Sequence, residues 1–261
     1  MMTNKFLDLN QIQTSKINKN TIHYLNHYVL CTSRKKNSIG KSYETLELLA
    51  KEKYSKKYPW KYKINQYGYR GTDWKFEKTS AIFGCSFIFG IGVEYPAAEL
   101  VQRKLNLTIP NLGIPGGSAI NIIKSFVAFS KIHPVQNAII SLPSISRFYK
   151  PEYSSNNWQS INLIPNFHKT KADRQIFKNW MNDLDIAYTI DYIDWAEDFS
   201  KAHDIKIYWT SWDRDTYNIL NQCKINNLFK WPTIVRDARD ESHPGQSTHN
   251  NFAKICLDIL S

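Results

Sequence analysis

Residues 79–92 read T-S-A-I-F-G-C-S-F-I-F-G-I-G. The apolar run Ala81-Ile82-Phe83 has the pattern of a short buried strand, and it stops at Gly84-Cys85-Ser86. Small residues at such a point are ordinary turn chemistry. A serine at the end of a buried strand is equally where a hydroxyl is held out for reaction. The rest of the chain has to separate these two readings.

Downstream of Ser86 the pattern alternates between helix and strand. Residues 95–105 have helical spacing, with Ala98, Leu100, Val101 and Leu105 apolar, and 108–112 form a short strand running into G-I-P-G-G-S. A helix follows over 119–132, opened by Ser118 as N-cap. Residues 137–142 (N-A-I-I-S-L) read as a buried strand closed by Pro143. After a polar excursion over 144–171, residues 172–203 are largely helical, with Ile186, Ile190, Ile193 and Ala196 facing inward. The spacing then predicts a strand over 205–210, a last short strand over 233–235 and a closing helix over 248–260. Short apolar strands alternating with helices predict an α/β fold with a parallel sheet covered on both faces. In such sheets sites lie at the carboxyl ends of strands. Ser86, the Gly113-Ile114-Pro115-Gly116 turn and Pro143-Ser144 all fall there.

A chain of 261 residues can bury a large core, and 42% hydrophobic residues argue against disorder. No apolar run reaches the roughly 20 residues of a membrane-spanning helix. The N-terminal residues lack the continuous apolar segment of a signal peptide, so a cytoplasmic location is expected. The four cysteines, Cys31, Cys85, Cys223 and Cys256, are scattered, which fits a reducing compartment and neither a disulfide framework nor a zinc ribbon. The Lys-, Asn- and Ile-rich composition suits an AT-rich genome, microbial or viral.

The net charge of +11 is concentrated at one end: residues 1–80 hold 16 Lys/Arg against 6 Asp/Glu, and residues 81–261 hold 18 against 17. Residues 1–63 therefore read as a basic extension packed on a main domain of 64–261. Within it, K-E-K-Y-S-K-K-Y-P-W-K-Y-K (51–63) interleaves lysines with aromatic rings. That pattern suits nucleic acid, and it equally suits a solvated lysine face, the commoner use of a charge run.

Two further stretches carry chemistry. In D-E-S-H-P-G (240–245), Asp240 lies three residues before His243. A carboxylate there can fold back on one imidazole nitrogen and leave the other as a base. Beside an exposed serine this supplies the remaining members of a Ser-His-Asp device, which is defined by roles and not by chain order. In N-L-G-I-P-G-G-S (111–118), glycines permit close backbone approach, and the amides opening the next helix are candidate donors to an oxyanion. His249, six residues after His243, has no third ligand in sequence and reads as a helix cap or a lining residue rather than a metal ligand. Trp209 and Trp212 flank the end of a strand and read as a wall for substrate or as packing. His133 reads as the end of a helix before Pro134.

Taken together, these motifs resemble the SGNH (GDSL-type) hydrolase family over residues 64–261. Gly84-Cys85-Ser86 stands in the place of the Gly-Asp-Ser block, Asn111-x-Gly113-x-x-Gly116-x-Ser118 resembles the second block, and Asp240-x-x-His243-Pro244-Gly245 resembles the last. Asn65-x-x-Gly68-x-Arg70-Gly71 is similar to a lead-in found in some members. The resemblance implies a three-layer α/β/α sandwich around a mostly parallel, flavodoxin-like sheet, with no metal or cofactor. It implies Ser86 as nucleophile, His243 as general base, Asp240 as its orienting partner, and the backbone amides of Ser86 and Gly116 as oxyanion donors. The substrate implied is a small ester, such as an O-acetyl or short acyl group on a carbohydrate.

The chain departs from the family pattern twice. Cys85 replaces the aspartate beside the serine; as the serine's neighbour in an extended segment it should point the other way. The third block, Gly-x-Asn-Asp, is absent: Leu142 runs into P-S-I-S-R (143–147), leaving Ser144 or Arg147 to replace the missing asparagine donor. Three other functions remain open on sequence: a carbohydrate-binding module on the same fold with a weakened site, acyl transfer by the same residues, and nucleic-acid binding through the basic extension.

Overall fold

The computed structural model describes residues 65, 69–74, 77–145, 147–152, 157–162, 184–238 and 243–261. The basic extension over residues 1–63 lies outside the described residues. Among those described, six strands and six helices follow in the order β1 (Thr79–Gly84), α1 (Ser86–Phe89), α2 (Ala97–Leu105), β2 (Asn111–Gly113), α3 (Ala119–Ile132), β3 (Val135–Leu142), β4 (Arg147–Glu152), β5 (Asn157–Asn162), α4 (Leu184–Ala202), β6 (Lys206–Ser211), α5 (Arg214–Gln222) and α6 (Gln246–Leu260).

Four strands form one parallel sheet in the order β2-β1-β3-β6. Side chains along each strand alternate between its faces, so the sheet feeds two cores. Ala81 and Phe83 of β1 join Ile122 and Phe126 of α3 and Ile193 and Ala196 of α4. Ile82 and Ile139 join Ala98 and Val101 of α2 and Phe252 and Cys256 of α6. Helices on both faces make the three-layer α/β/α sandwich that the sequence predicts. Ile193 and Ala196 are buried in α4 as expected, whereas Ile186 and Ile190 are only half-buried. Ser118 caps α3 as expected, its side chain accepting the Asn121 amide proton. At the other end His133 closes α3, stacked on Phe129 at 4.8 Å.

The polar excursion after β3 contains an antiparallel pair, β4 with β5. The expected strand at 233–235 is not one. The edge of β6 is instead met at Leu228: the Trp209 amide donates to Asn227 O (3.1 Å), and the Phe229 amide donates to Trp209 O (3.0 Å). Asn227 supplies the left-handed backbone (φ 58°) that brings the chain back to the sheet. Residues 233–235 then leave the sheet to brace α6. The Val235 amide donates to Thr248 Oγ1 (2.8 Å), and Val235 O accepts from the Gly245 amide (2.9 Å).

A second clamp joins α6 to α2. Gln246 exchanges two hydrogen bonds with the Tyr95 backbone (3.1 and 2.8 Å). One turn further, His249 Nδ1 accepts from the amide of Ala97 (3.2 Å), the first residue of α2. His249 therefore caps a neighbouring helix and not its own, taking one of the donors that every helix start leaves without a partner. Burial, then the nearby Arg70 guanidinium, then His243, push its pKa down to about 3, so the ring is neutral.

Two consequences are measurable. Because the folded-state pKa of His249 lies below the unfolded value of about 6.5, its stabilisation is complete above pH 6.5 and is lost as pH falls toward about 3. His249→Asn keeps an acceptor near the Nδ1 position and cannot protonate. Urea midpoints measured between pH 7 and pH 4 should fall less steeply in the variant, by about 1.4 kcal/mol per pH unit; equal slopes would refute the assignment. Separately, a Cβ at Gly113 would lie 2.2 Å from Phe89 N and 2.6 Å from Phe89 Cα. Gly113→Ala should cost about 3 kcal/mol in urea unfolding, since backbone cannot rotate away as a side chain can.

Candidate functional site

The strand order reverses beside β1, where the chain leaves for β2 on one side and β3 lies on the other. Such a switch point opens a crevice at the strands' carboxyl ends, and α1 starts there. The turn into α1 needs Gly84, since a Cβ would lie 2.2 Å from Ile88 Cγ1 and 3.1 Å from Ser141 O. Cys85 O accepts from the Ile88 and Phe89 amides (3.1 and 3.0 Å), and Gly90 ends the single turn at φ 77°. This places Ser86 at the first helical position, 4% exposed. Its hydroxyl has no hydrogen-bond partner among the described residues.

Two segments hold α1 from behind. In the first, the buried Arg70 guanidinium donates to the carbonyls of Phe89 (3.4 Å), Gly90, Val93 (2.6 Å) and Glu94 (2.8 Å). A buried cation is tolerated when its donors are satisfied in this way. Asn65 shapes the approach to Arg70 by accepting the Tyr69 amide (3.0 Å) and donating to Thr72 O (3.3 Å). The lead-in motif is thus a brace for the loop after α1. In the second segment, Asn111 Nδ2 donates to Ile88 O (3.1 Å), Asn111 Oδ1 accepts from the Gly113 amide (3.0 Å), and the Ile114 amide donates to Gly84 O (2.7 Å). These bonds fix the turn that contains Gly116, whose φ of 76° requires glycine's freedom.

Cys85 faces away from the crevice into the core, fully buried, and its sulfur accepts from Trp212 Nε1 at 3.3 Å. A thiol so placed is structural rather than reactive. Trp212, tethered by that bond, stacks on Phe87 with centroids 4.3 Å apart and planes 25° apart. The Arg147 guanidinium lies 5.1 Å from the same Trp212 ring. Arg147 also donates its amide to Ser144 O (3.1 Å), while the Ile145 amide donates to Thr216 Oγ1 (3.0 Å), so the segment replacing the third block is anchored to α5.

His243 is buried on the other side of Phe87, its imidazole edge-on to that ring at 5.7 Å. The loop bearing it is set by Gly245, where a Cβ would lie 1.8 Å from Asp237 Oδ1 and 2.4 Å from Asp237 C. Asp240 lies outside the described residues. His243 and Trp212 therefore both meet Phe87, the residue after Ser86; Arg147 lies against Trp212, and the Gly116 turn follows the neighbouring strand β2. His249 is occupied in capping α2.

Sequence reasoning passed over Phe87 and Trp231, and left Trp212 level with Trp209. The structure separates the two tryptophans. Trp209 is a fully buried strand residue whose indole donates to Glu197 Oε1 (2.6 Å), and Trp212, just beyond the strand end, reaches the site. Strand-end position was the available signal for Trp212. None existed for Trp231, which sits in an irregular segment and is held by stacking on Phe252 at 4.1 Å. Among the described residues, no group of three or more His, Cys, Asp or Glu converges as a metal site, and no helix is long and apolar enough to cross a membrane.

No protein-family model and no curated protein matches the chain. Solved structures similar to it include an acetyl xylan esterase from the rumen bacterium Butyrivibrio proteoclasticus, at 12% identity and a TM-score of 0.44, covering 74% of this chain and 65% of that one. A GDSL-like lipase from Bacteroides thetaiotaomicron aligns at 14% identity and a TM-score of 0.41, over 70% of this chain and 87% of that one. A family 3 carbohydrate esterase from Clostridium thermocellum aligns at 12% identity and a TM-score of 0.41, over 70% and 96%. The chain thus spans just under two thirds of the acetyl xylan esterase, and its similarity to all three is distant.

Proposed function

We propose that the chain is a serine hydrolase of the SGNH type that cleaves a small ester, an O-acetyl or other short acyl group, through an acyl-enzyme on Ser86. The observation that carries this reading is the placement of Ser86. Its hydroxyl has no partner among the described residues, it stands at the end of a central strand at the switch point, and a buried histidine packs on the next residue's ring. Turn chemistry alone explains a serine there but not the accompanying imidazole.

In this mechanism Ser86 Oγ attacks the ester carbonyl carbon while His243 takes the hydroxyl proton. The carbonyl oxygen becomes an oxyanion held by the amides of Ser86 and Gly116. Collapse breaks the bond to the alcohol, which leaves with the proton from His243, and the acyl group stays on Ser86. Water, deprotonated by His243, then attacks the acyl-enzyme and releases the acid. Asp240 orients His243 and stabilises its imidazolium. With no asparagine after β3, Ser144 and Arg147 are the residues left to supply the third donor, and Arg147 Nε is buried without a partner among the described residues.

A fluorophosphonate probe tests this directly. The native protein should be labelled on the peptide containing Ser86. Ser86→Ala should abolish labelling, His243→Ala should slow it about 1000-fold or more, and Cys85→Ala should leave it in place. An unlabelled but folded native protein would instead indicate a carbohydrate-binding module on the same fold. A label on Cys85 would move the nucleophile to its neighbour. Whether the acyl group passes to water or to a sugar is read by adding acceptor sugars and following the products.

A further inference from the structure

The reaction outlined above leaves unused a cleft of about 290 Å³ on the far side of Trp212, lined chiefly by Ser211, Trp212, Arg214, Tyr217, Lys230 and Trp231. Its volume is at the small end of ligand sites, enough for one ring or a short chain. We infer that this cleft is a subsite for an acidic saccharide, a sugar bearing a carboxylate, next to the ester-cleaving centre. The inference rests on the hydrolase reading for what happens to the substrate, and on the cleft itself for what binds.

Three observations carry it. The first is charge. Arg214 and Lys230 both line the cleft, and among the described residues no Asp or Glu does. Neither cation has an ion-pair partner among the described residues. The adjacent Asp213 turns its Oδ2 to the Thr216 amide (3.0 Å) and Thr216 Oγ1 (2.7 Å), and its single negative charge leaves the cations in excess. Arg147, 5.1 Å from the Trp212 ring, adds a third cation. A guanidinium fork matches a carboxylate in both shape and charge.

The second observation is the wall. Trp212, Trp231 and Tyr217 present aromatic surface of the kind that accepts the apolar face of a sugar ring. The third is continuity. Trp212 stacks on Phe87 at 4.3 Å, Trp231 lies 6.4 Å from the same ring, and Phe87 is the residue after Ser86.

The test separates binding from chemistry. Intrinsic tryptophan fluorescence of the native protein and of Ser86→Ala is titrated with a galacturonic acid dimer and with the neutral galactose dimer. The acidic dimer should bind about tenfold tighter at low salt, and this preference should shrink as salt is added. In Arg214→Gln/Lys230→Gln the two affinities should converge. Both residues are exposed, and either single substitution should give a partial loss if the pair proves unstable. Equal affinities in the native protein, or a preference that survives the double substitution, would overturn the assignment. Acetylated forms of both dimers then report on catalysis. Preferential binding without deacetylation keeps the cleft and removes the hydrolase reading. Deacetylation without preference keeps the hydrolase and overturns the cleft.

Discussion

The site depends on one steric constraint, the contact between the β2 turn and the backbone of α1. Gly113 lies so close to Phe89 N that no side chain fits between them. On the strand side Gly84 leaves the same kind of gap for Ile88. With both glycines in place, the chain turns from strand to helix within two residues, and the first helical residue projects at the strand's end. Neither contact stabilises much by itself. Their effect is to fix the direction in which Ser86 projects.

Around this turn the protein distributes its polar groups so that each buried donor or acceptor serves a position. Arg70 spends its guanidinium on the carbonyls that follow α1. Asn111 ties the end of α1 to the β2 turn, and His249 caps α2 from α6. Two of these are charged or titratable groups. Their environment decides their role: a guanidinium saturated with carbonyls and an imidazole held neutral by burial are fasteners. Ser86, whose hydroxyl meets no partner among the described residues, and His243, beside Phe87, are differently placed.

The aromatic residues link the chemistry to recognition. Phe87 touches His243 on one side and Trp212 on the other, and Trp212 is held by its bond to Cys85 Sγ. The departure from the family pattern at position 85 therefore has a structural use. A buried sulfur accepts the indole donor, so the tryptophan is fixed by its edge. Trp212 also lines the cationic cleft, so one side chain borders both Phe87 and that cleft.

Much of the fold was legible because it rests on local periodicity. The strand at 79–84, the helix at 119–132 with its Ser118 cap, and the helices near 97–105 and 246–260 all carry apolar spacing that only one element type satisfies. The positions of Ser86 and Gly116 just beyond strand ends were legible too, since glycine and small residues mark where a buried strand turns. Elements with weaker local signals were not. Residues 233–235 look like a strand, yet the place beside β6 went to 227–229, because Asn227 can adopt the left-handed turn needed to return there. Residues 214–222 form a helix whose cap, Asp213, was not singled out. The sequence by itself determined the layered fold and which residues stand at the ends of its strands. Only the tertiary structure decided that Trp212 and not Trp209 faces the site, that Cys85 serves the core, that His249 is a cap, and that Arg214 and Lys230 share a cleft. Those outcomes depend on contacts between segments distant along the chain, where burial and hydrogen bonding, and not spacing, fix what a side chain can do.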